Sequence, residues 1–176
     1  MWYPAKITTP AEAEPVTLVE VKRHVRVDST DDDDYLTSLI SVARNHVEKY
    51  CSAYLATQTV EVKAEDWWDM AHLSVYPVQS ITTIAYVDTN GDAQTLPDTV
   101  YELRDAGIVL KYGQVLPPTQ PGSLITLTAV VGVTDAQPAV KHAILVRLAD
   151  LYETRESEDD SKWTSFDSLL SNHRYY

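Results

Sequence analysis

Five histidines (His24, His46, His72, His142 and His173) are scattered so that no two fall at metal-ligand spacing within one expected element. Cys51 is the lone cysteine, which leaves neither an internal disulfide nor a cysteine pair for zinc. The five glycines stand singly, so no phosphate-cradling loop can form. There is no nucleophile elbow and no His-Glu-x-x-His. Twenty-six acids always offer carboxylate pairs, and pairs alone single out no acid–base site. The run Asp31, Asp32, Asp33 and Asp34 could suggest a calcium loop, but no glycine follows at the turn position and no glutamate closes it. Acids at a helix start meet the positive end of the helix dipole, and that is the simpler reading. Trp67-Trp68-Asp69, with Tyr76 nearby, could form a stacking platform for a sugar or receptor, or could plug a strand end or meet a partner. No residue set makes an enzyme, and no metal or cofactor is expected.

Length and composition narrow the class. The chain has 176 residues, close to one domain of roughly 150 with room for an insertion. Lys and Arg number 14 against 26 acids, a net charge of -12, which disfavours affinity for a polyanion. An apolar share of 44% can build a core, and four Trp with eleven Tyr are too many for a solvated coil. The longest apolar run, Leu127 to Val133, falls short of the roughly 20 residues a membrane span needs. Met1 to Lys6 has no apolar stretch of the kind that marks a secretion signal. These features lead us to expect an acidic, soluble, cytoplasmic protein.

The elements follow from pattern. Pro4, Pro10 and Pro15 bar a long helix from residues 1–15, which read as an extended arm or a frayed end. Thr17-Leu18-Val19-Glu20 is a capping-box pattern, opening a helix to about Val25. Leu36, Leu39, Ile40, Ala43, Val47 and Tyr50 form one helical stripe after the acid run. Strands are expected at 59–64, 73–76, 81–87, 93–96, 101–104, 108–111 and 124–131, with Asn90-Gly91 as a type I′ hairpin turn. Pro138 opens a third helix running to about Arg155. It is apolar on two sides, with Val140, Ile144 and Leu148 on one and Leu145 and Tyr152 on the other. Such a helix must be covered on most sides, part of that cover coming from a neighbouring subunit. Trp163, Phe166, Leu169 and Leu170 then recur at helical spacing before Arg174, Tyr175 and Tyr176. An apolar, aromatic terminus on an acidic protein signals a partner, or else folds back on its own domain.

The expected fold is therefore α+β: a small helical bundle of three main helices with an inserted antiparallel β-sandwich or barrel-like domain and an extended C-terminal tail. The divisions are an arm at 1–15, helical parts at 16–56 and 135–160, a β insertion at 57–134, and a tail at 161–176.

Four phrases, in order, carry a family resemblance. Pro15-Val16-Thr17-Leu18-Val19-Glu20-Val21-Lys22-Arg23-His24-Val25-Arg26-Val27-Asp28 resembles the opening of head–tail connector (adaptor, head-completion) proteins of long-tailed phages. Asp33 to Tyr50, with its Ala43-Arg44-Asn45-His46-Val47-Glu48-Lys49-Tyr50 ending, is similar to that family's second helix. Pro77-Val78-Gln79-Ser80-Ile81 with Tyr86-Val87-Asp88-Thr89-Asn90-Gly91, and Ala143-Ile144-Leu145 through Leu151-Tyr152-Glu153-Thr154-Arg155-Glu156, resemble two further family phrases. The subgroup with a β insertion, including gene transfer agents, fits best. The Asp31–Asp34 run is more acidic than the family pattern requires.

The resemblance implies a structural role in a virion, at the head–tail interface of a particle assembled in a bacterial cytoplasm. It implies a ring homo-oligomer, usually of twelve copies, under the portal protein. Packaged DNA passes through without specific binding, and a tail-side stopper or tail-terminator protein sits on the far side. No membrane is involved. On this footing Trp163, Phe166, Leu169, Leu170, Arg174, Tyr175 and Tyr176 would dock on the portal. Val140, Ile144, Leu145, Leu148 and Tyr152 would form the inter-subunit helix, and Asp31, Asp32, Asp33 and Asp34 would line the channel or start a helix. The alternative is a carbohydrate- or receptor-binding β module of a phage particle.

Overall fold

In chain order the elements are β1 (Lys6–Thr9), α1 (Leu18–Val25), α2 (Asp33–Cys51), β2 (Gln58–Ala64), β3 (Val78–Val87), β4 (Ala93–Thr95), β5 (Tyr101–Arg104), β6 (Gly107–Leu110), β7 (Ile125–Val131), α3 (Pro138–Thr154) and α4 (Ser165–Leu170). Short 3-10 turns lie at Trp67–Ala71 and Ser171–His173. The computed structural model describes residues 1–105, 107–154 and 165–175. The chain is α+β and divides into two units, residues 1–12 with 57–133, and residues 13–56 with the described part of 134–176.

The β unit is built on alternation. In β2 the residues Val60, Val62 and Ala64 are fully buried, and in β7 so are Ile125, Leu127, Ala129 and Val131. The antiparallel register sets Val60 opposite Ala129, Val62 opposite Leu127 and Ala64 opposite Ile125, so one continuous apolar face results. Each of the Val, Leu and Ile side chains contributes about 1.5–3 kcal/mol by leaving water, and the alanines less. The sheet order is β1-β2-β7-β3-β4, with β5 and β6 forming a separate two-stranded sheet. The five-stranded sheet is open, with β1 and β4 at its edges, and does not close into a barrel.

Three local expectations change. The proline-rich start is not a free arm: Lys6–Thr9 pairs with β2, and Trp2 bridges to Ala64. Prolines at 4 and 10 bracket this strand without interrupting it. The stretch 73–76 is not a strand; Pro77 has no amide proton for a ladder, and pairing begins at Val78. The Asn90-Gly91 turn is not type I′. Outside glycine, only Arg26 and Ser52 among the described residues have positive φ, so Asn90 does not. The Asp88 carboxylate instead accepts the amides of Asn90 and Asp92, while Gly91 at φ 91° donates to the Asp88 carbonyl. These amide donors hold the Asp88 carboxyl below its usual range.

In the helical unit, the Thr17 hydroxyl accepts from the Glu20 amide and the Glu20 carboxylate accepts from the Thr17 amide at 2.7 Å, which is the expected capping box. α1 ends at Arg26 and α2 at Ser52, both left-handed residues whose amides close the last turn. Leu36, Leu39, Ile40, Ala43 and Val47 of the α2 stripe are buried, with Tyr50 at its margin. α3 packs against α2 and α4.

Candidate docking surfaces

α3 presents two faces of different burial. Val140, Ala143, Ile144 and Leu148 are buried within their own unit. Val140, Ile144 and Leu148 were expected at a subunit contact, but they fill this core. Leu145 and Tyr152, with Val146 and Ala149, are half-buried and make the second apolar face. With a step of about 100° per residue, the two sets fall on different sides of one helix, so a single helix serves both.

The described C-terminal residues fold back on α2. Phe166 meets the rings of His46 and Tyr50 edge-on, with centroids 5.3 and 5.4 Å away. Leu170 is fully buried. The Arg174 guanidinium lies 5.0 Å from the centre of the Tyr50 ring, and the Tyr175 amide donates to the Cys51 carbonyl at 2.9 Å. Burial pushes the Cys51 thiol up to about 11, outweighing the opposite pull of Arg174, so it is a protonated apolar filler. Phe166 and Leu170 are thus anchors for their own unit rather than exposed ones, because the end of α2 offers the aromatic and apolar wall they need. Leu169 is half-buried, while Arg174 and Tyr175 stay at the surface. Trp163 and Tyr176 lie outside the described residues.

The acid run is dispersed among local partners. Asp33 takes the Lys22 ammonium at 2.6 Å, and Asp32 accepts the Tyr152 hydroxyl at 2.6 Å. Asp33 and Asp34 occupy the first turn of α2, as acids at a helix start should. Asp31 and Asp34 are exposed. Among the described residues no group of three or more His, Cys, Asp and Glu could hold a metal ion. Nor is any described helix long and apolar enough to cross a membrane.

Sequence reasoning missed two features. The first is Arg44, buried on α2, which donates to Glu14 at 2.7 Å and to Glu48 at 2.8 Å. Its pKa is raised by these carboxylates in spite of burial, which pulls the other way. Glu48 also accepts the Leu55 amide at 2.7 Å. The only sequence signal is a basic residue inside an apolar stripe, flanked four residues on by an acid.

The second is an apolar cavity of about 540 Å³ in the β unit. Its walls come from the 3-10 turn (Trp67, Trp68, Met70), from Ile84 and Leu96, from β6 and from the 115–116 loop. Of the Trp67–Trp68 pair, only Trp68 faces solvent, at 89% exposure. Trp67 is half-buried, donates its indole N–H to the Pro117 carbonyl at 2.9 Å, and packs edge-on against Tyr86. Tyr76, the third member of the expected platform, is half-buried. The Trp67-Trp68 doublet was the available clue to this surface.

Residues 15–99 match the model of the family described as phage gp6-like head-tail connector protein. No curated protein matches the chain. Among solved structures, the fold is similar to a chain in the neck of an empty gene transfer agent (GTA) particle computed with C6 symmetry. The TM-score is 0.82 at 17% identity, covering 99% of this chain and 96% of that one. A chain in the virion of a native GTA particle gives 0.81 at 18% identity, and one in the neck of a native GTA particle computed with C12 symmetry gives 0.75 at 17%, each with the same coverage. The resemblance to the phage head–tail connector family read from the sequence is thus shown over residues 15–99, and a shared α+β fold extends the likeness over 99% of the chain.

Proposed function

We propose that this chain is a structural head–tail connector of a tailed phage or phage-like particle. Copies of it form a ring, of twelve by analogy with the family, below the portal at the head–tail interface. The ring lengthens the DNA channel and carries the next tail-side protein, a stopper or tail terminator. The observation that supports this most is the conjunction of the family match over 15–99 with a fold likeness that covers both units.

The physical features are compatible with that role. The second face of α3, formed by Leu145, Val146, Ala149 and Tyr152, is apolar and only half-covered in a single chain, and a neighbouring copy would complete its burial. A net charge of -12 lets DNA pass without adhering, because contacts that release counterions are scarce. Exposed Asp31 and Asp34 suit such a wall. Of the residues expected to dock, Leu169, Arg174 and Tyr175, with Trp163 and Tyr176, are assigned here to the portal contact.

Electron microscopy of an intact particle carrying this chain tests the proposal. A ring traced at the collar between filled head and tail is the expected result. A particle in which the chain is missing from the collar, or lies elsewhere in the virion, overturns it.

A further inference from the structure

We infer that the seam of the ring joins the second face of α3 in one copy to the outward stripe of α2 in the next, with the two helices running in the same direction. This rests on the connector reading and names the partner surface within it.

Symmetry sets the first requirement. If the second face of α3 met the same face of another copy, the pair would close on a two-fold axis and growth would stop at two. A ring needs two different surfaces on each copy, so this face must meet something other than itself. The partner surface has to lose water without stranding a charge, because an unpaired buried charge is costly.

The outward stripe of α2 meets that requirement. Asp34, Ser38, Val42, Asn45 and Lys49 are exposed and recur at helical spacing, and between its two charged ends the stripe is uncharged. Val42, at its middle, is 49% exposed. The Ser38 hydroxyl donates to the Tyr35 carbonyl at 2.7 Å and the Ser41 hydroxyl to the Ser38 carbonyl at 2.9 Å, so neither donor needs water when the stripe is covered. The exposed side of α1 does not qualify, since Glu20, Arg23 and Arg26 stand on it.

Charge sets the direction. On α3, Leu145, Val146 and Ala149 lie between His142 at the N-terminal end and exposed Glu153 at the other. Parallel packing puts Lys49 of one copy beside Glu153 of the next. It also turns Asp34 toward His142 and the Lys141–Asp135 ion pair, away from Glu153. The antiparallel sense would bring Asp34 onto Glu153, like charge on like.

Particles carrying the full chain test this with a bismaleimide that reaches across the roughly 8–10 Å between packed helices. Cys51 is buried, so the parent should not cross-link. Neither Val42→Cys nor Ala149→Cys alone should cross-link, whereas the two together should give a ladder of covalent multimers. Lys49→Glu and Glu153→Lys should each lower incorporation into collars severalfold, and the double charge swap should recover most of it. A ring at the collar without a ladder overturns the seam and leaves the connector role standing, while no ring at the collar overturns both. A covalent dimer from either cysteine alone would show like faces meeting, and overturns the seam. So does a double swap no better than the single ones, or a ladder formed instead by Ala149→Cys with Trp68→Cys, which would bring the mouth of the β-unit cavity to the seam.

Discussion

Tyr152 of α3 donates its hydroxyl proton to the Asp32 carboxylate at the start of α2, over 2.6 Å and across 120 residues of sequence. Tyr35 supports the arrangement, its ring centroid 6.1 Å from that of Tyr152. A hydrogen bond to a charged acceptor is worth about 1.5–3 kcal/mol, less where partly solvated. Tyr152→Phe should therefore lower the unfolding free energy by about 1–2 kcal/mol in urea titration. Asp32→Asn should have a smaller effect in the same direction. The double variant should lose clearly less than the sum, because both changes remove one bond.

Arg44 should be the most sensitive polar position in the helical unit. Arg44→Ala strands the carboxylate of Glu48, whose side chain is only 11% exposed, and the expected loss is about 3 kcal/mol. Glu14, at 31%, is better solvated, and Glu14→Ala should lose about 1 kcal/mol or less. Arg44→Lys should fall between the two, since an ammonium cannot reach both carboxylates with the fork of a guanidinium. Equal melting temperatures for Arg44→Ala and the parent would refute this assignment.

The capping box sets a pH dependence. The Thr17 amide and then its hydroxyl hold the Glu20 carboxyl below its ordinary value of 4.5. A depressed folded-state pKa contributes stability that is fully present above pH 4.5 and lost as pH falls through the folded value. Thr17→Ala should lower stability by about 1 kcal/mol at neutral pH. Glu20→Gln should make the stability curve flatter below pH 4.5 than the parent's, as followed by circular dichroism.

Gly107→Ala should disturb the β unit without touching the helical one. The new Cβ meets backbone rather than a side chain that could swing away. An expected loss of about 2 kcal/mol follows from overpacking. Faster hydrogen exchange should appear at the Lys111 amide, which donates to the Val100 carbonyl beside the hairpin. Gly113→Ala, with open space around it but φ at 77°, should lose less, about 1 kcal/mol.

Much of the architecture could be read from period and punctuation. The stripe from Leu36 to Val47, the capping box at Thr17 and the alternation of Val60-Val62 and Ile125-Leu127-Ala129-Val131 are local patterns, each dictated by a backbone geometry that repeats every 3.6 or two residues. Two of the four family phrases lie on α1 and α2, and the others on β3 and α3. The segments that went astray depend on partners far along the chain. Lys6–Thr9 becomes a strand because β2 offers it an unpaired edge, and 73–76 is irregular because Pro77 cannot join the ladder. At Asn90-Gly91 a nearby side chain, Asp88, overrode the usual turn preference.

The same division holds for the docking surfaces. Composition and periodicity alone determined that the chain is α+β, acidic and carries a doubly apolar third helix, because they need no knowledge of what packs where, and motif phrases supplied the resemblance to connectors. Which face of α3 is spent on the core, where Phe166 and Leu170 go, how Arg44 gathers Glu14 and Glu48, and that Trp68 stands open over a cavity while Trp67 is tied inward were decided only by the tertiary structure. Burial is a property of pairs of surfaces. A side chain's type states what it would gain by leaving water, but the fold determines which other residues stand close enough to exclude it.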